Sequence, residues 1–215
     1  MTIDLGNTID EQLNARALAI SDRLRANPFP GLIDIIVAYS SVSCFFDPSA
    51  AIDRPAISEG LLEAWRRTAA ARPAEAEAGR LVRIPVCYEG DYAPDLEEVA
   101  RQTGLSPAEL IGLHTAVPYR IYMIGFLPGF PYMGKLDPRI QVPRKPRPIP
   151  VIAGGVGIAG MQTGVYPFNS PGGWQIIGRT PVRLFDRDAD PPVLLRTGDR
   201  VQFYPIPVAE FLAAR

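Results

Sequence analysis

Glycine and proline are concentrated in the second half of the chain, and this uneven distribution most constrains its fold. Of the 19 glycines and 23 prolines among 215 residues, 27 lie in the last 98 residues, from Pro118 onward. Such a density of turn-forming residues excludes long helices and favours many short strands joined by tight turns, as in a β-barrel or β-sandwich. Runs typical of strands in this half are Tyr119–Gly125, Gln175–Gly178, Val182–Phe185 and Val201–Tyr204.

The first half has longer periodic segments. A short strand at Thr2–Leu5 precedes a helix whose start we place at a capping box formed by Thr8 and Glu11. The order strand, helix, strand, strand, helix, strand predicts a ferredoxin-like α+β domain over residues 1–88. After the first helix, the predicted elements are strands Ile33–Ala38 and Val42–Phe46, helix Ser58–Ala71 and strand Leu81–Val86.

Two short helices are predicted between this domain and the turn-rich region. The first covers Asp95–Gln102 and is terminated by Gly104, and the second covers Ser106–Leu113, opening with a serine N-cap and a proline. We therefore treat residues 89–117 as a helical lead-in to a β-barrel domain that covers residues 89–215.

The net charge of −1 is a cancellation between an acidic and a basic half. Residues 1–117 carry 10 basic and 17 acidic side chains, whereas residues 118–215 carry 12 and 6. The total gives no electrostatic reason to expect nucleic acid or a membrane surface as a partner, and no segment approaches the roughly 18 apolar residues of a membrane helix. The isolated Cys44 and Cys87 favour buried, reduced thiols over a disulfide. We therefore expect a soluble, cytoplasmic protein.

The chain contains one histidine, His114. With two isolated cysteines, it cannot complete the usual zinc ligand sets, so no metal site is predicted. Any Ser-His-Asp or Cys-His machinery would have to use this residue. It lies at the end of the second short helix, where the helix dipole favours the charged form. A structural role and a catalytic role both remain open from the sequence.

A literal GxGxxG pattern occurs at Gly155, Gly157 and Gly160. A dinucleotide site requires a helix to begin at such a pattern, and Gly164 and Pro167 follow too closely to sustain one. We therefore reject a Rossmann site and expect these glycines to serve a β-turn system. An anion-holding nest of backbone amides is the alternative.

Two segments of the basic half combine unusual residues. Gly125–Tyr132 is dense in glycine, proline and aromatic residues, which favours a rigid, buried aromatic corner over direct ligand contact. Arg139–Arg147 is a basic run interleaved with prolines, which hold its arginines in extended geometry. These arginines are suited to a carboxylate or phosphate, and salt bridges to the acidic half are an equal alternative.

Six linked motifs extend from His114 over most of the rest of the chain. They are the stretches His114–Ala116, Gly125–Gly134, Ala153–Pro167, Pro171–Trp174, Gly178–Thr180 and Gly198–Arg200. Together with the first helix, they show that the chain resembles the KipI/PxpB family, also called the allophanate hydrolase subunit 1 family. The resemblance implies a ferredoxin-like amino-terminal domain followed by a cyclophilin-like β-barrel domain.

The resemblance also implies a function. Family members similar to this chain are subunits of bacterial 5-oxoprolinase, which acts with a PxpC-like and a PxpA-like partner. Such a complex uses ATP, with Mg, to open 5-oxoproline to L-glutamate, and we expect the subunit to be inactive alone. Related domains occur in urea amidolyases, and one branch inhibits a sensor histidine kinase, so both functions are alternatives. Prolyl isomerase activity is a third, resting on fold analogy alone.

The implied site must hold a carboxylate, accommodate phosphate and stabilise a developing oxyanion. No Walker motif is present, so we expect nucleotide binding to lie largely on a partner. The expected catalytic residues are His114 and Gln162, and the expected substrate- and anion-binding residues are Arg144, Arg179, Gly155, Gly157, Thr163 and Tyr166.

Overall fold

The computed structural model describes residues 1–70 and 79–214. The chain divides into two compact units, Met1–Gly79 and Arg80–Arg215. The division falls before the strand at Leu81–Val86, whereas the sequence placed it after that strand, at residue 88. The sheet to which this strand belongs explains the difference.

The described part of the first unit contains a three-stranded antiparallel sheet and two helices. The strands are β1 (Thr2–Asp4), β2 (Leu32–Ala38) and β3 (Ser41–Phe46), arranged in the order β1-β3-β2. The helices are α1 (Glu11–Ala26) and α2 (Arg54–Ala70). Ala71, where the second helix was predicted to end, lies outside the described residues. Helices and sheet share one apolar core, formed by Ala17, Ile20, Leu24, Ile35, Val42, Cys44, Ile57, Leu61 and Ala64.

Helix α1 begins two residues later than the predicted capping box. Asp10 is its N-cap, and one carboxylate oxygen accepts the backbone N–H groups of Gln12 at 2.9 Å and Leu13 at 3.0 Å. An aspartate at this position also complements the positive end of the helix dipole. The prediction of Thr8 as the cap was therefore wrong, although the helix itself is confirmed.

The strand β4 (Leu81–Val86) pairs in parallel with β12 (Arg200–Pro205) near the end of the chain. Its residues Ile84 and Val86 are fully buried in the core of the second unit. The assignment of this strand to the first domain was therefore wrong, because the strand buries its apolar side chains in the second sheet. The described first unit has the order βαββα, and its ferredoxin-like classification stays a prediction.

The second unit is built around a seven-stranded sheet. Besides β4 and β12, its strands are β5 (Tyr119–Ile124), β6 (Pro131–Gly134), β8 (Gly155–Ala159), β9 (Gln162–Val165) and β11 (Gln175–Arg179). Their order in the sheet is β11-β8-β9-β6-β5-β12-β4. Two backbone hydrogen bonds join its end strands: Cys87 N–H donates to Arg179 O at 2.8 Å, and Arg179 N–H donates to Cys87 O at 2.9 Å. The sheet therefore curls into a nearly closed barrel.

Further elements surround the barrel. A separate two-stranded sheet pairs β7 (Ile149–Val151) with β10 (Ser170–Gly172). The helices of this unit are α3 (Leu96–Thr103), α4 (Pro107–Thr115) and α5 (Val208–Ala213), with short 3-10 helices at Gly90–Tyr92 and Pro138–Ile140. None of the helices in the described part of the chain is long and apolar enough to cross a membrane.

Local predictions in this unit have mixed outcomes. The lead-in helices are confirmed, including the left-handed C-cap at Gly104 and the reciprocal capping box of Ser106 with Glu109. Three of the four predicted strands are confirmed. The fourth, Val182–Phe185, was wrong, because that segment forms only a single bridge between Phe185 and Val193. Both cysteines are free and buried, as expected.

Candidate functional site

Four aromatic side chains form a contiguous cluster in the second unit, which we call the aromatic cluster: Phe130, Tyr132, Tyr166 and Trp174. The ring centroid of Phe130 lies 4.8 Å from that of Tyr132, 5.1 Å from that of Tyr166 and 5.4 Å from that of Trp174, always in an edge-to-face arrangement. Such pairs contribute about 0.5–1.5 kcal/mol each beyond apolar burial. Phe130 is fully buried, while Tyr132 is only half-buried.

Glycines make room for this cluster. A Cβ atom at Gly164 would lie 2.9 Å from Phe130 Cζ and 2.9 Å from Trp174 Cζ3, and one at Gly172 would lie 2.5 Å from the Tyr166 hydroxyl oxygen. At Gly157 the nearest atom would be Trp174 Cβ, at 3.1 Å. Gly157, Gly164 and Gly172 therefore allow the rings of the aromatic cluster to pack closely against the backbone.

Arg144 lies over this cluster. Its guanidinium carbon is 5.9 Å from the Trp174 ring centroid, and the side chain is exposed. No carboxylate in the described parts of the chain forms an ion pair with it. Burial raises the pKa of the Tyr132 hydroxyl and of the Tyr166 hydroxyl, and the positive charge of Arg144 opposes the rise at both. Two predicted anion-binding residues, Arg144 and Tyr166, are therefore brought together.

The backbone on both sides of Arg144 is fixed. Lys145 N–H donates to Gly173 O at 2.7 Å, and the Gln175 side chain donates to Pro143 O at 3.1 Å. Because Gly173 and Gln175 flank Trp174 in sequence, these bonds align the two segments side by side. They place the Arg144 guanidinium over the indole ring.

An ion pair that sequence reasoning missed supports the same segment. The Lys145 ammonium lies 2.5 Å from a carboxylate oxygen of Asp95, and only about a sixth of each side chain is exposed, 15% and 16%. The other carboxylate oxygen of Asp95 accepts the Ile176 N–H at 2.6 Å. The salt bridge from the basic run to the acidic half is therefore formed by Lys145, whereas the sequence suggested the arginines for it. Arg144 forms no ion pair with a carboxylate of the described residues, so its charge stays available. The only sequence signal for Asp95 was its position at the start of a predicted helix.

Arg179 has different neighbours. Its Nε–H donates to Ala153 O at 2.9 Å, and its guanidinium carbon lies 5.8 Å from the Phe211 ring centroid. Its backbone forms the barrel seam with Cys87. These contacts connect Arg179 to Ala153, to the barrel seam and to helix α5, whereas Arg144 lies over Trp174.

The amides of the GxGxxG region take part in backbone hydrogen bonds. Gly154 N–H donates to Tyr166 O at 2.7 Å, Gly155 N–H to Ile152 O at 3.0 Å, and Gly160 N–H to Val142 O at 2.7 Å. Gly157 lies within β8, which is paired on both sides. The rejection of a Rossmann site is confirmed, since this segment is a strand. The sequence also suggested these amides as donors to an oxyanion or phosphate. The structure argues against that role, because their N–H groups already donate to backbone carbonyl groups.

His114 lies fully buried in the core, stacked on Phe203 with ring centroids 4.9 Å apart. Thr163 Oγ1 donates to Gly157 O at 3.1 Å, so it accepts from the Nε2–H of His114 at 2.9 Å. Nδ1 is then left to accept from the Tyr88 hydroxyl at 2.8 Å. Both ring nitrogens are therefore satisfied, and Thr163 is a member of this chain of hydrogen bonds.

Burial lowers the pKa of His114 to about 3. The expectation that the helix dipole would favour the charged imidazole was wrong, because loss of hydration outweighs it. A neutral imidazole with both nitrogens occupied inside the core is a structural group, and the geometry does not support proton transfer by it at neutral pH. Gln162 begins β9 opposite Gly134 and Ala159, and its catalytic role stays a prediction.

The described residues offer no complete set of groups for a nucleotide and its metal ion. Within residues 1–70 and 79–214, no group of three His, Cys, Asp or Glu side chains is arranged to hold a metal ion. The glycine amides expected to cradle phosphate donate to carbonyl groups instead. The described residues therefore do not fit a complete site for ATP with Mg, and we route no chemical step through such a site in this chain.

Comparisons with known proteins give a consistent set of relatives. Residues 1–195 match the family described as carboxyltransferase domain, subdomain C and D. The chain is 45% identical to the 5-oxoprolinase B subunit of Bacillus subtilis over 222 residues, which cover 99% of this chain and 92% of that protein. It is 41% identical to the 5-oxoprolinase B subunit of Escherichia coli O157:H7, over 82% of this chain and 79% of that protein.

Solved structures include longer chains. The structure of TTHA0988 is 38% identical, with a TM-score of 0.82, over 96% of this chain and 39% of that one. The urea amidolyase of K. lactis, at 20% identity and a TM-score of 0.79, shares the fold over 99% of this chain and 14% of its own. The chain thus spans about two fifths of the first of these proteins and a smaller part of the second.

Proposed function

Because the chain belongs to the family of the carboxyltransferase domain, subdomain C and D, we propose that it is the B subunit of an ATP-dependent 5-oxoprolinase. The observation that carries this proposal is the 45% identity to the corresponding Bacillus subtilis subunit over nearly the whole length of both chains. The proposed reaction opens the lactam ring of 5-oxoproline to give L-glutamate.

The aromatic cluster and Arg144 are the proposed contribution of this chain to substrate binding. The Arg144 guanidinium, held over Trp174 without a carboxylate partner in the described residues, suits the carboxylate of 5-oxoproline. A charged hydrogen bond of this kind contributes about 1.5–3 kcal/mol. The half-buried Tyr132 hydroxyl lies in the field of the same arginine and would offer a second polar contact.

The nucleotide would bind to the assembled complex. A five-membered lactam is a stable amide, and ATP, when bound, can activate it by phosphorylating its carbonyl oxygen. The amides of Gly154, Gly155 and Gly160 are engaged in the barrel. We therefore propose that PxpC-like and PxpA-like partners supply most of the contacts to phosphate and Mg, while this chain holds and orients the acid.

A second candidate is a subunit that uses urea or a related amide. The relatives that favour it include the urea amidolyase of Saccharomyces cerevisiae, 31% identical over 52% of this chain. Urea carries no carboxylate, so an available arginine over an indole ring favours 5-oxoproline over urea. Allophanate does carry a carboxylate, so the arginine alone does not distinguish it from 5-oxoproline. The kinase-inhibitor alternative has no structural observation in its favour.

The test is reconstitution. The purified chain alone is expected to be inactive, and the chain co-purified with its PxpC-like and PxpA-like partners is expected to release glutamate and ADP from 5-oxoproline. Urea and 2-pyrrolidone serve as competing substrates in parallel reactions. Turnover of urea with none of 5-oxoproline would replace the proposal with the urea-using subunit.

A further inference from the structure

Phe126 occupies an unusual turn between β5 and β6. Its φ is +68°, in the region that bulky residues avoid, and the Leu127 N–H donates to Gly125 O at 2.9 Å across it. A hydrogen bond between residues i and i+2 around a positive φ defines a strained γ-turn. Strain of this kind persists only where the surroundings enforce it, and it is concentrated at functional sites.

The surroundings do enforce this turn. Gly125 N–H donates to Phe130 O at 3.1 Å, and Phe130 N–H donates to Leu127 O at 3.0 Å. Gly129 has a φ of +81°, and a Cβ there would lie 3.3 Å from Leu184 O. The strained conformation is thus fixed from both ends, and its effect is to set the direction of the Phe126 side chain.

The Phe126 ring stands on the aromatic cluster. It meets Phe130 at a centroid distance of 5.6 Å and an angle of 90°, and Tyr166 at 6.5 Å and 89°. Its side chain is nevertheless 60% exposed. The ring centroids of Phe126 and Trp174 both lie within 5.6 Å of that of Phe130, and Arg144 lies over Trp174. The exposed Phe126 ring and the Arg144 charge therefore border the same aromatic cluster.

We propose that Phe126 is a specificity-determining residue that recognises the ring of a small cyclic acid whose carboxylate binds Arg144. This inference rests on the proposed function and extends it, since it names the group that distinguishes a lactam ring from an open-chain acid. An aromatic ring provides a flat apolar surface for the methylene groups of a five-membered ring. The strained turn holds that surface in place before the ligand arrives, which lowers the cost of binding.

The test separates ring recognition from charge recognition with three probes: 5-oxoproline, which has both features, 2-pyrrolidone, which has only the ring, and N-acetylalanine, which has a carboxylate and an open-chain amide. Binding to the full chain is measured by titration calorimetry. Phe126→Ala is expected to weaken 5-oxoproline about tenfold while changing N-acetylalanine less than about twofold. Arg144→Ala is expected to weaken both acids about tenfold or more and to leave 2-pyrrolidone unchanged.

Controls address folding and the backbone. Leu212→Ala removes a side chain of helix α5 that is 55% exposed and is expected to change none of the three affinities. Phe126→Gly removes the ring while relieving the positive φ, so it must lose ring recognition even if it gains thermal stability. Equal weakening of 5-oxoproline and N-acetylalanine by Phe126→Ala would overturn the inference, as would absence of 5-oxoproline binding to the chain.

The assembled complex distinguishes this inference from the proposed function. If the chain shows the expected ring preference but its complex opens no 5-oxoproline, the proposed function fails and the inference stands. If the complex opens 5-oxoproline and Phe126→Ala leaves both its affinity and its KM unchanged, the function stands and the inference fails. A rise in KM with kcat within about twofold is the expected result, because ring contact made equally in ground and transition states affects binding alone.

Discussion

The buried His114 makes the stability of the second unit depend on pH. Burial lowers its pKa from 6.5 to about 3, so between these values the unfolded chain binds a proton that the folded barrel does not. The free energy of unfolding therefore keeps the full contribution of this residue above about pH 6.5. Below that pH it falls by up to about 1.4 kcal/mol per pH unit. Between pH 7 and pH 4.5 the expected loss from this residue is about 2.5 kcal/mol.

Urea unfolding at several pH values measures this loss. Tryptophan emission reports the second unit when Trp65 of the first unit is replaced, because Trp174 then remains as the chain's other tryptophan. His114→Phe in this background removes the titrating group but leaves the Tyr88 hydroxyl without its acceptor. The double variant His114→Phe/Tyr88→Phe removes both partners together, which limits the cost of an unsatisfied buried group.

The pH dependence of the free energy of unfolding, compared between parent and double variant, tests whether His114 is neutral in the folded barrel. The double variant is expected to lose about 2.5 kcal/mol less than its parent between pH 7 and pH 4.5, since the exposed carboxylates titrate equally in both. Thr163→Val is the matched control: it disturbs the same hydrogen-bond chain but keeps the histidine, so its slope is expected to follow the parent. Equal slopes for parent and double variant would show that His114 is not held neutral in the folded barrel.

Three further outcomes are expected. Arg144→Ala in the reconstituted complex raises the KM for 5-oxoproline roughly 10- to 100-fold with an unchanged circular dichroism spectrum; a wild-type KM would make the arginine structural. Asp95→Asn breaks the ion pair with Lys145 and lowers the free energy of unfolding in urea by roughly 2 kcal/mol. It also raises KM more than it lowers kcat. An unchanged free energy of unfolding would contradict the anchoring role of the ion pair. Gly164→Ala lowers the free energy of unfolding by roughly 1–3 kcal/mol, because the added methyl group overpacks the aromatic cluster. The control Gly112→Ala lies in a helix, where nothing is within 4 Å of the added Cβ, and raises the free energy of unfolding by about 0.5–1 kcal/mol. Equal effects of the two substitutions in urea unfolding would refute the packing argument.

Local chemistry explains which parts of the fold could be predicted. The capping box of Ser106 and Glu109 and the glycine C-cap at Gly104 involve residues close in sequence, so their geometry follows from the residues themselves. The sheet that β4 joins depends on a strand near the end of the chain, and nothing within Leu81–Val86 specifies it. Order of elements alone therefore gave a plausible but wrong placement.

The site was predictable to a similar degree. Arginine chemistry and proline spacing pointed to Arg144, and the family motifs to Tyr166, but they equally indicated Arg179, whose neighbours are elsewhere. The pairing of Lys145 with Asp95 joins residues far apart in sequence, and no local sequence pattern predicts it. The sequence places His114 at the end of a helix, which is compatible with either an exposed or a buried imidazole. Only the packing of Phe203 against the ring shows that the imidazole is buried.

The parallel pairing of β4 with β12 has a consequence for how the protein forms during synthesis. The Arg80 guanidinium and the Asp199 carboxylate, an ion pair at the entrance to these two strands, are 119 positions apart in the chain. A ribosome has therefore completed nearly all of the barrel before β4 can find its neighbour, whereas the strands and helices of the first unit are available early. Until β12 emerges, the apolar residues of β4 have no partner strand on that side. During this interval the exposed apolar residues of β4 can associate with other chains, so rapid completion of the barrel limits that risk.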